Sequence, residues 1–153
     1  MINEDLLIPF YSDIANVLNS VIPVEWSKAA IYFEELDGSF SAKYYFFDKE
    51  KNCYVNDGKM PDLYGIDLCK YSELNRKVVT ACQNLRNEFI NQGEPPWVIM
   101  SFFIDEKFNF NAEFEYDYNR EISTYARMIL WAYKKLNIIP SSDFDKELLE
   151  ENL

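Results

Sequence analysis

The sequence predicts an α+β domain, a five-stranded, mainly antiparallel sheet with three main helices packed chiefly on one face. Aromatic residues make up 17% of the chain, with 12 Phe and 11 Tyr, which suits wide side chains crossing a sheet better than an Ala/Leu helical bundle. Phe108 to Asn119 alternates without a break, with Phe108, Phe110, Ala112, Phe114, Tyr116 and Tyr118 on one side and Asn109, Asn111, Glu113, Glu115, Asp117 and Asn119 on the other. Side chains along an extended chain alternate between faces, so this run is a strand with one dry face. Asp37-Gly38 between two alternating runs is a strong hairpin signal.

The elements follow in order. From Ile8 to Ile22, Phe10, Tyr11, Ile14, Val17, Leu18 and Val21 recur at three and four, an amphipathic helix that tolerates Pro9 in its first turn and ends at Pro23. Lys28 to Leu36 alternates, and the Asp37-Gly38 turn sets Leu36 against Ser39, Phe33 against Ala42 and Ile31 against Tyr44. A short third strand is expected around Asn52 to Asn56, and Asp57 to Ile66, with Gly58, Pro61 and Gly65, reads as a loop. Asp67 is placed to cap a long helix with the stripe Leu68, Tyr71, Leu74, Val78, Cys82, Leu85 and Phe89, which ends at Gly93.

Pro95-Pro96 leads into a fourth strand, Trp97 to Ile104. A three-residue turn, Asp105-Glu106-Lys107, pairs Ile104 with Phe108, Phe102 with Phe110 and Met100 with Ala112, although Lys107 stands where glycine is usual. Ser123 caps a last main helix with the stripe Tyr125, Met128, Ile129, Ala132 and Leu136. Residues 141–153 form an acidic tail in which Phe144, Leu148 and Leu149 pin one short turn of helix. All 153 residues are read as a single domain, and such a length buries roughly 68–70% of the surface of its unfolded chain.

Charge narrows the function. The net charge of −11, from 26 acids against 15 bases, repels phosphates and argues against nucleic acid or anionic membrane as a direct partner. A basic protein fits. Histidine is absent, and the three cysteines (Cys53, Cys69, Cys82) show no C-x-x-C spacing, so neither a disulfide framework nor a zinc site is expected. Cys69 and Cys82 read as small buried hydrophobes. No cofactor is expected, because no P-loop or dinucleotide glycine pattern occurs, and without histidine no nucleophile-base pair with it can form. No leader and no apolar stretch of ~18 residues is evident, which points to a cytosolic protein.

The candidate binding residues are Glu113, Glu115 and Asp117 on the wet face of the last strand, Tyr32, Glu34 and Tyr45 on the outer face of the first hairpin, and Trp131. For the acids, the plain alternative is the solvated face common to antiparallel sheets. A catalytic or metal role is disfavoured, since neighbours on one strand face stand two rises of ~3.3 Å apart with no convergent loop. Tyr32 and Tyr45, with Phe47 and Phe103, are either covered by a helix or form an exposed interaction patch. Trp26 and Trp97 read as core plugs, with interface anchoring the sharper alternative, and Trp131, off its helix stripe, is left open, an exposed anchor being one reading.

The order of motifs, Ile22-Pro23-x-Glu25-Trp26, the aromatic hairpin, Leu85-Arg86-Asn87-Glu88-Phe89, Pro96-Trp97, Phe114-x-Tyr116-Asp117 and Arg127-x3-Trp131-x-Tyr133-Lys134-x-Leu136, resembles the YezG/EsaG-type antitoxin family over roughly residues 10–139. The resemblance implies a cytosolic immunity protein of a Gram-positive bacterium, made beside a secreted toxin, often a nuclease, that it binds and inhibits until export. The partner implied is therefore a cognate toxin with a basic nuclease domain. An adaptor or secretion chaperone that escorts the toxin without inhibiting it is the alternative. Two positions depart from the family pattern: Asn137 where glycine is usual, and Ala126 where an acid is usual.

Overall fold

In the computed structural model, which describes residues 1–153, Trp26–Leu36 (β1) and Ser39–Asp48 (β2) form the central hairpin. Asp37 and Gly38 both take positive φ, 51° and 85°, as a tight two-residue hairpin turn requires. Leu36 faces Ser39, Phe33 faces Ala42 and Ile31 faces Tyr44, the register read from the turn. Cys53–Asn56 (β3) pairs with β2, Ile99–Asp105 (β4) with the other side of β1, and Phe110–Glu115 (β5) with β4. The sheet order is β3-β2-β1-β4-β5, and every pair is antiparallel.

Five α-helices accompany the sheet, where three main ones were expected. Ile8–Val21 (α1) and Leu68–Asn91 (α3) join one sheet face in a common core with Ile31, Phe33, Tyr44, Phe46 and Phe102. Helix α1 buries Tyr11, Ile14, Ala15, Leu18 and Val21, the large ones worth roughly 1.5–3 kcal/mol each. Leu18 is fully buried, so Leu18→Ala is a change that would cost about 2–5 kcal/mol. Asp67 caps α3 by accepting from the Lys70 amide at 2.8 Å. At its other end Gly93 takes φ 77° and the Glu94 amide reaches back to the Phe89 carbonyl, a left-handed stop.

Several expectations need correction here. The segment read as a loop folds into a single turn, Asp57–Lys59, and a short helix, Met60–Tyr64 (α2), which ends at left-handed Gly65. Buried Met60 drives this, with Pro61 at a position where its missing N–H costs nothing. Leu68 is exposed rather than part of the α3 stripe, and of the two cysteines read as buried only Cys82 is so; Cys69 is exposed.

Buried carboxylates tie β2 to the helical side. Asp48 accepts from the Glu50 and Lys51 amides at 2.8 and 3.0 Å and from the Tyr64 hydroxyl at 2.8 Å. Asp57 accepts from the Tyr44 amide at 3.1 Å and the Tyr71 hydroxyl at 2.7 Å. Trp97 plugs the core end, edge-on to Phe33 and Phe89 at 5.9 and 6.1 Å and tilted against Phe114 at 5.2 Å.

The chain divides into two compact units, Met1–Asp117 with the sheet and α1–α3, and Tyr118–Leu153. In the second, Thr124–Leu136 (α4) is capped by Ser123, whose hydroxyl accepts from the Ala126 amide at 3.1 Å, and closes at Asn137, φ 57°. Asparagine tolerates this left-handed position, so it meets the need that glycine serves in the family pattern. Of the expected α4 stripe only Ala132 is buried; Ala126 and Trp131, outside that stripe, are the other buried residues of the helix. Tyr125 is exposed and donates to Asp145 at 2.9 Å. The tail is more than one turn: Asp143–Asn152 (α5) is a ten-residue helix that contacts α4 and buries Leu149. No helix is long and apolar enough to cross a membrane.

Candidate partner-binding surface

The hairpin β4–β5 carries the acidic residues, and its turn decides where they sit. Asp105 and Asn109 close the loop, with the Asp105 amide donating to the Asn109 carbonyl at 3.0 Å. The Asp105 carboxylate organises it further: Oδ1 accepts from the Lys107 and Asn109 amides at 2.9 and 3.0 Å, and Oδ2 from the Asn109 side chain at 3.1 Å. The Asn109 side chain and amide hold the Asp105 carboxyl below the usual carboxylate range, with the Lys107 amide helping.

The loop has three residues, as expected, but they are Glu106, Lys107 and Phe108. The left-handed position falls on Phe108, φ 66°, not on Lys107. Ile104 therefore pairs with Phe110, Phe102 with Ala112 and Met100 with Phe114, two residues from the expected register. A shift of two leaves the side chains of β5 itself on their predicted faces. Phe108, displaced into the turn, stacks on Trp26 at 6.4 Å, and Phe110 packs on Tyr11 at 5.0 Å and Phe102 at 5.6 Å.

Glu113 and Glu115 are exposed on the outward face of β5. Asp117 is exposed too, but β5 ends at Glu115, so the third acid lies beyond the strand rather than on a regular ladder. Tyr116, expected on the dry face, is 57% exposed. No three His, Cys, Asp or Glu side chains converge to hold a metal ion.

The other sequence-derived candidates occupy different ground. Tyr32 and Glu34 are each 2% exposed and Tyr45 6%, with the Tyr32 hydroxyl donating to Glu34 at 2.5 Å. Of the four rings on this face, Tyr32 and Tyr45 are therefore buried, while Phe47 and Phe103 are half-buried. Trp131, at 6% exposure, is a buried side chain and not an exposed anchor. An open groove of about 570 Å³ between α1 and α3 mixes Asp13 and Glu73 with Arg76 and Lys77, so it has no single sign of charge with which to select a basic partner.

Sequence reasoning missed that β5 is an open edge. Its only ladder partner is β4, and with Asp105 bonded directly to Asn109, the residues bonded to β4 are the alternate ones, Asn109, Asn111, Glu113 and Glu115. Phe110, Ala112 and Phe114 turn their amides and carbonyls outward. The available signal was topological: the last strand of a chain of hairpins has one neighbour.

The profile of the family described as "Immunity protein YezG-like" matches residues 7–150. This chain belongs to that family. Among its relatives, the Immunity protein YezG of Bacillus subtilis (strain 168) is 30% identical over 141 residues, covering 91% of this chain and 93% of the relative. The Type VII secretion system protein EsaG of Staphylococcus aureus (strain NCTC 8325 / PS 47) is 27% identical over 156 residues, covering 97% and 92%. The matched span of this YezG-like chain covers most of both units and every candidate residue discussed above. The resemblance read from its motifs is thereby established as family membership.

Proposed function

We propose that this YezG-like chain is an immunity protein that binds and neutralises a cognate secreted toxin inside the cell that makes both, and that the toxin is a nuclease. The immunity role is supported by family membership and by relatives named as immunity proteins. The observation that carries the mode of action is the exposed acid set Glu113, Glu115 and Asp117 on a chain of net charge −11. A nuclease groove is basic because it must attract phosphates, and the same field draws in this surface. Contact rests on these acids and not on Tyr32, Glu34, Tyr45 or Trp131, which are buried within the chain itself. The chain acts by occupying the toxin, and it needs no cofactor to do so.

A relative named for a secretion system favours a second reading, in which the chain escorts the toxin to export without blocking its chemistry. One experiment separates the two. The toxin encoded beside this chain is expressed from an inducible promoter with and without it, and the purified toxin is titrated with the chain in a plasmid-cleavage assay. Immunity predicts rescued growth and loss of cleavage at a stoichiometric ratio. Binding with cleavage intact is the outcome of escort alone, and neither rescue nor binding removes the proposal.

A further inference from the structure

We propose that the open edge of β5 takes up an extended basic segment of the partner as a sixth, antiparallel strand. The proposal rests on the toxin-binding reading and adds the kind of segment bound. Three features of the edge converge. Phe110, Ala112 and Phe114 each present one outward amide and one outward carbonyl, and together they form a short docking template. On the core-side face of the same strand, Phe110 is 46% exposed and Ala112 and Phe114 are half-buried, so an added strand gains apolar cover there. On the opposite face stand Asn111, Glu113 and Glu115, all exposed, with no basic residue anywhere in the strand.

That pattern selects the occupant. A strand paired antiparallel with β5 places its apolar side chains beside Phe110, Ala112 and Phe114 and its alternate side chains beside Glu113 and Glu115. The matching sequence alternates apolar and Lys or Arg residues. A second copy of this chain is a poor occupant, because an incoming β5 brings only Asn111, Glu113 and Glu115 and no Lys or Arg to that face, and like charges across a ladder are destabilising. The acids thus guard the edge against self-association while leaving it open to a cationic strand. The opposite edge, β3, has four residues against six in β5 and includes exposed Cys53 but no exposed acid.

The register of the hydrogen bonds makes the test specific. In antiparallel pairing, directly opposed residues share a face, so the groups that bond Phe110, Ala112 and Phe114 belong to the apolar residues of the incoming strand. The probe is a capped peptide Lys-Val-Lys-Val-Lys-Val, compared with versions N-methylated at the three valines or at the three lysines, with binding followed by amide hydrogen exchange. The unmodified peptide is expected to slow exchange at Phe110, Ala112 and Phe114 by about tenfold or more, while Asn111 and Glu113, already bonded to β4, change little. Valine N-methylation should weaken binding by about tenfold or more, since several hydrogen bonds are lost, whereas lysine N-methylation should leave it near the unmodified value. Equal affinity of the two methylated peptides, the reverse order, or no slowing at the three amides overturns the proposal.

Ala112→Pro supplies the second arm, because it deletes an outward amide and none of the bonds to β4; near-UV circular dichroism checks that the fold is kept. It is expected to lose peptide binding and protection against the toxin. If the native chain protects cells and a folded Ala112→Pro protects equally well, edge pairing falls and the immunity reading stands. If the native chain gives no protection, the immunity reading falls by itself, and the peptide arm still decides the edge.

Discussion

Arg86 lies in one of the motifs that carry the family resemblance, and its geometry predicts a structural cost when it is replaced by methionine. Its Nε donates to the Trp97 carbonyl at 2.7 Å and one terminal nitrogen to Glu35 at 2.6 Å, with the guanidinium 6.0 Å from the Trp97 ring centre. Both charged side chains are well covered, at 13% and 21% exposure, so the pair is not a surface bridge of negligible worth. Methionine keeps most of the aliphatic stem and removes every donor. Leaving the Trp97 carbonyl and the Glu35 carboxylate without this partner should cost about 2–4 kcal/mol together. For a chain of this length that is a fall in Tm of roughly 5–15 °C. Urea unfolding followed by tryptophan fluorescence reads it, since Trp97 sits at the contact. Arg86→Lys should recover only part, because lysine cannot bond both partners with a planar fork. In the cycle with Glu35→Gln, the coupling should reach about 1 kcal/mol. A cost of Arg86→Met under ~1 kcal/mol, or strict additivity in the cycle, would refute the assignment of Arg86 as the pin between α3, β1 and the entry to β4.

The remaining predictions concern charge, pH and the turn. Each of Glu113, Glu115 and Asp117, facing a toxin charge across ~7 Å of water, contributes about 0.25 kcal/mol after screening at physiological salt. Glu113→Gln, Glu115→Gln and Asp117→Asn together should therefore slow association by roughly three- to fourfold, and more at low salt, with dissociation little changed. Stopped-flow association at two ionic strengths checks this, and identical rates would remove the steering role. Burial pushes the Asp57 carboxyl up despite Lys43 and the bonds from Tyr71 and Tyr44, so the folded state holds that proton more tightly than the unfolded one. Its contribution to stability is present at low pH and lost as pH rises through the folded-state value. Asp57→Asn should abolish that slope in urea unfolding measured over a pH series. Asp48 behaves in the opposite sense: burial would raise its carboxyl, but the Lys51 amide, the Tyr64 hydroxyl and the Glu50 amide bring it below the usual range. Its stabilisation is present above a pH of about 4 and lost as pH falls further, and Asp48→Asn should remove that acid limb. Asp105→Ala should loosen the β4–β5 turn, seen as faster amide exchange at Lys107 and Asn109; unchanged exchange would deny the carboxylate its organising role.

How much of this was legible depended on whether the deciding group announces itself by residue type. The β1–β2 register was legible because Asp37-Gly38 supplies the two left-handed residues by composition, and alternation on both sides agrees with it. The β4–β5 register was not, because its left-handed position is filled by Phe108, a residue that carries no turn signal, and the turn is organised by the Asp105 carboxylate instead. Face assignments survived the error because it amounted to two residues. Alternation also told which side Tyr32, Glu34 and Tyr45 point to, but not whether that side is dry, since orientation does not determine what covers a face. The burial of Trp131 is illegible for a related reason: the commonest apolar spacing runs through Ala132 but passes over Ala126 and Trp131, which are buried as well. The acids at Glu113 and Glu115 were legible from the strand itself, while the open edge beside them emerges only when the strands are put in order.

The motifs that carry the family resemblance are mostly framework. Trp26, Phe89, Trp97 and Trp131 are buried. Arg86 pins α3, and Arg127 ties down its own loop by donating to the Asn119 and Ile122 carbonyls at 3.0 and 2.6 Å and to the Thr124 hydroxyl at 2.9 Å. Residues of this kind specify how the chain folds and give a partner almost nothing to touch. Family membership therefore vouches for the scaffold and for the kind of role it supports, whereas the choice of toxin has to be written in exposed positions. On β5 these are Phe110, Asn111, Glu113 and Glu115, and a strand edge suits such a division of labour. Its main-chain bonds supply affinity whatever the side chains are, so the exposed side chains on either face are free to set which partner fits without disturbing the sheet that presents them.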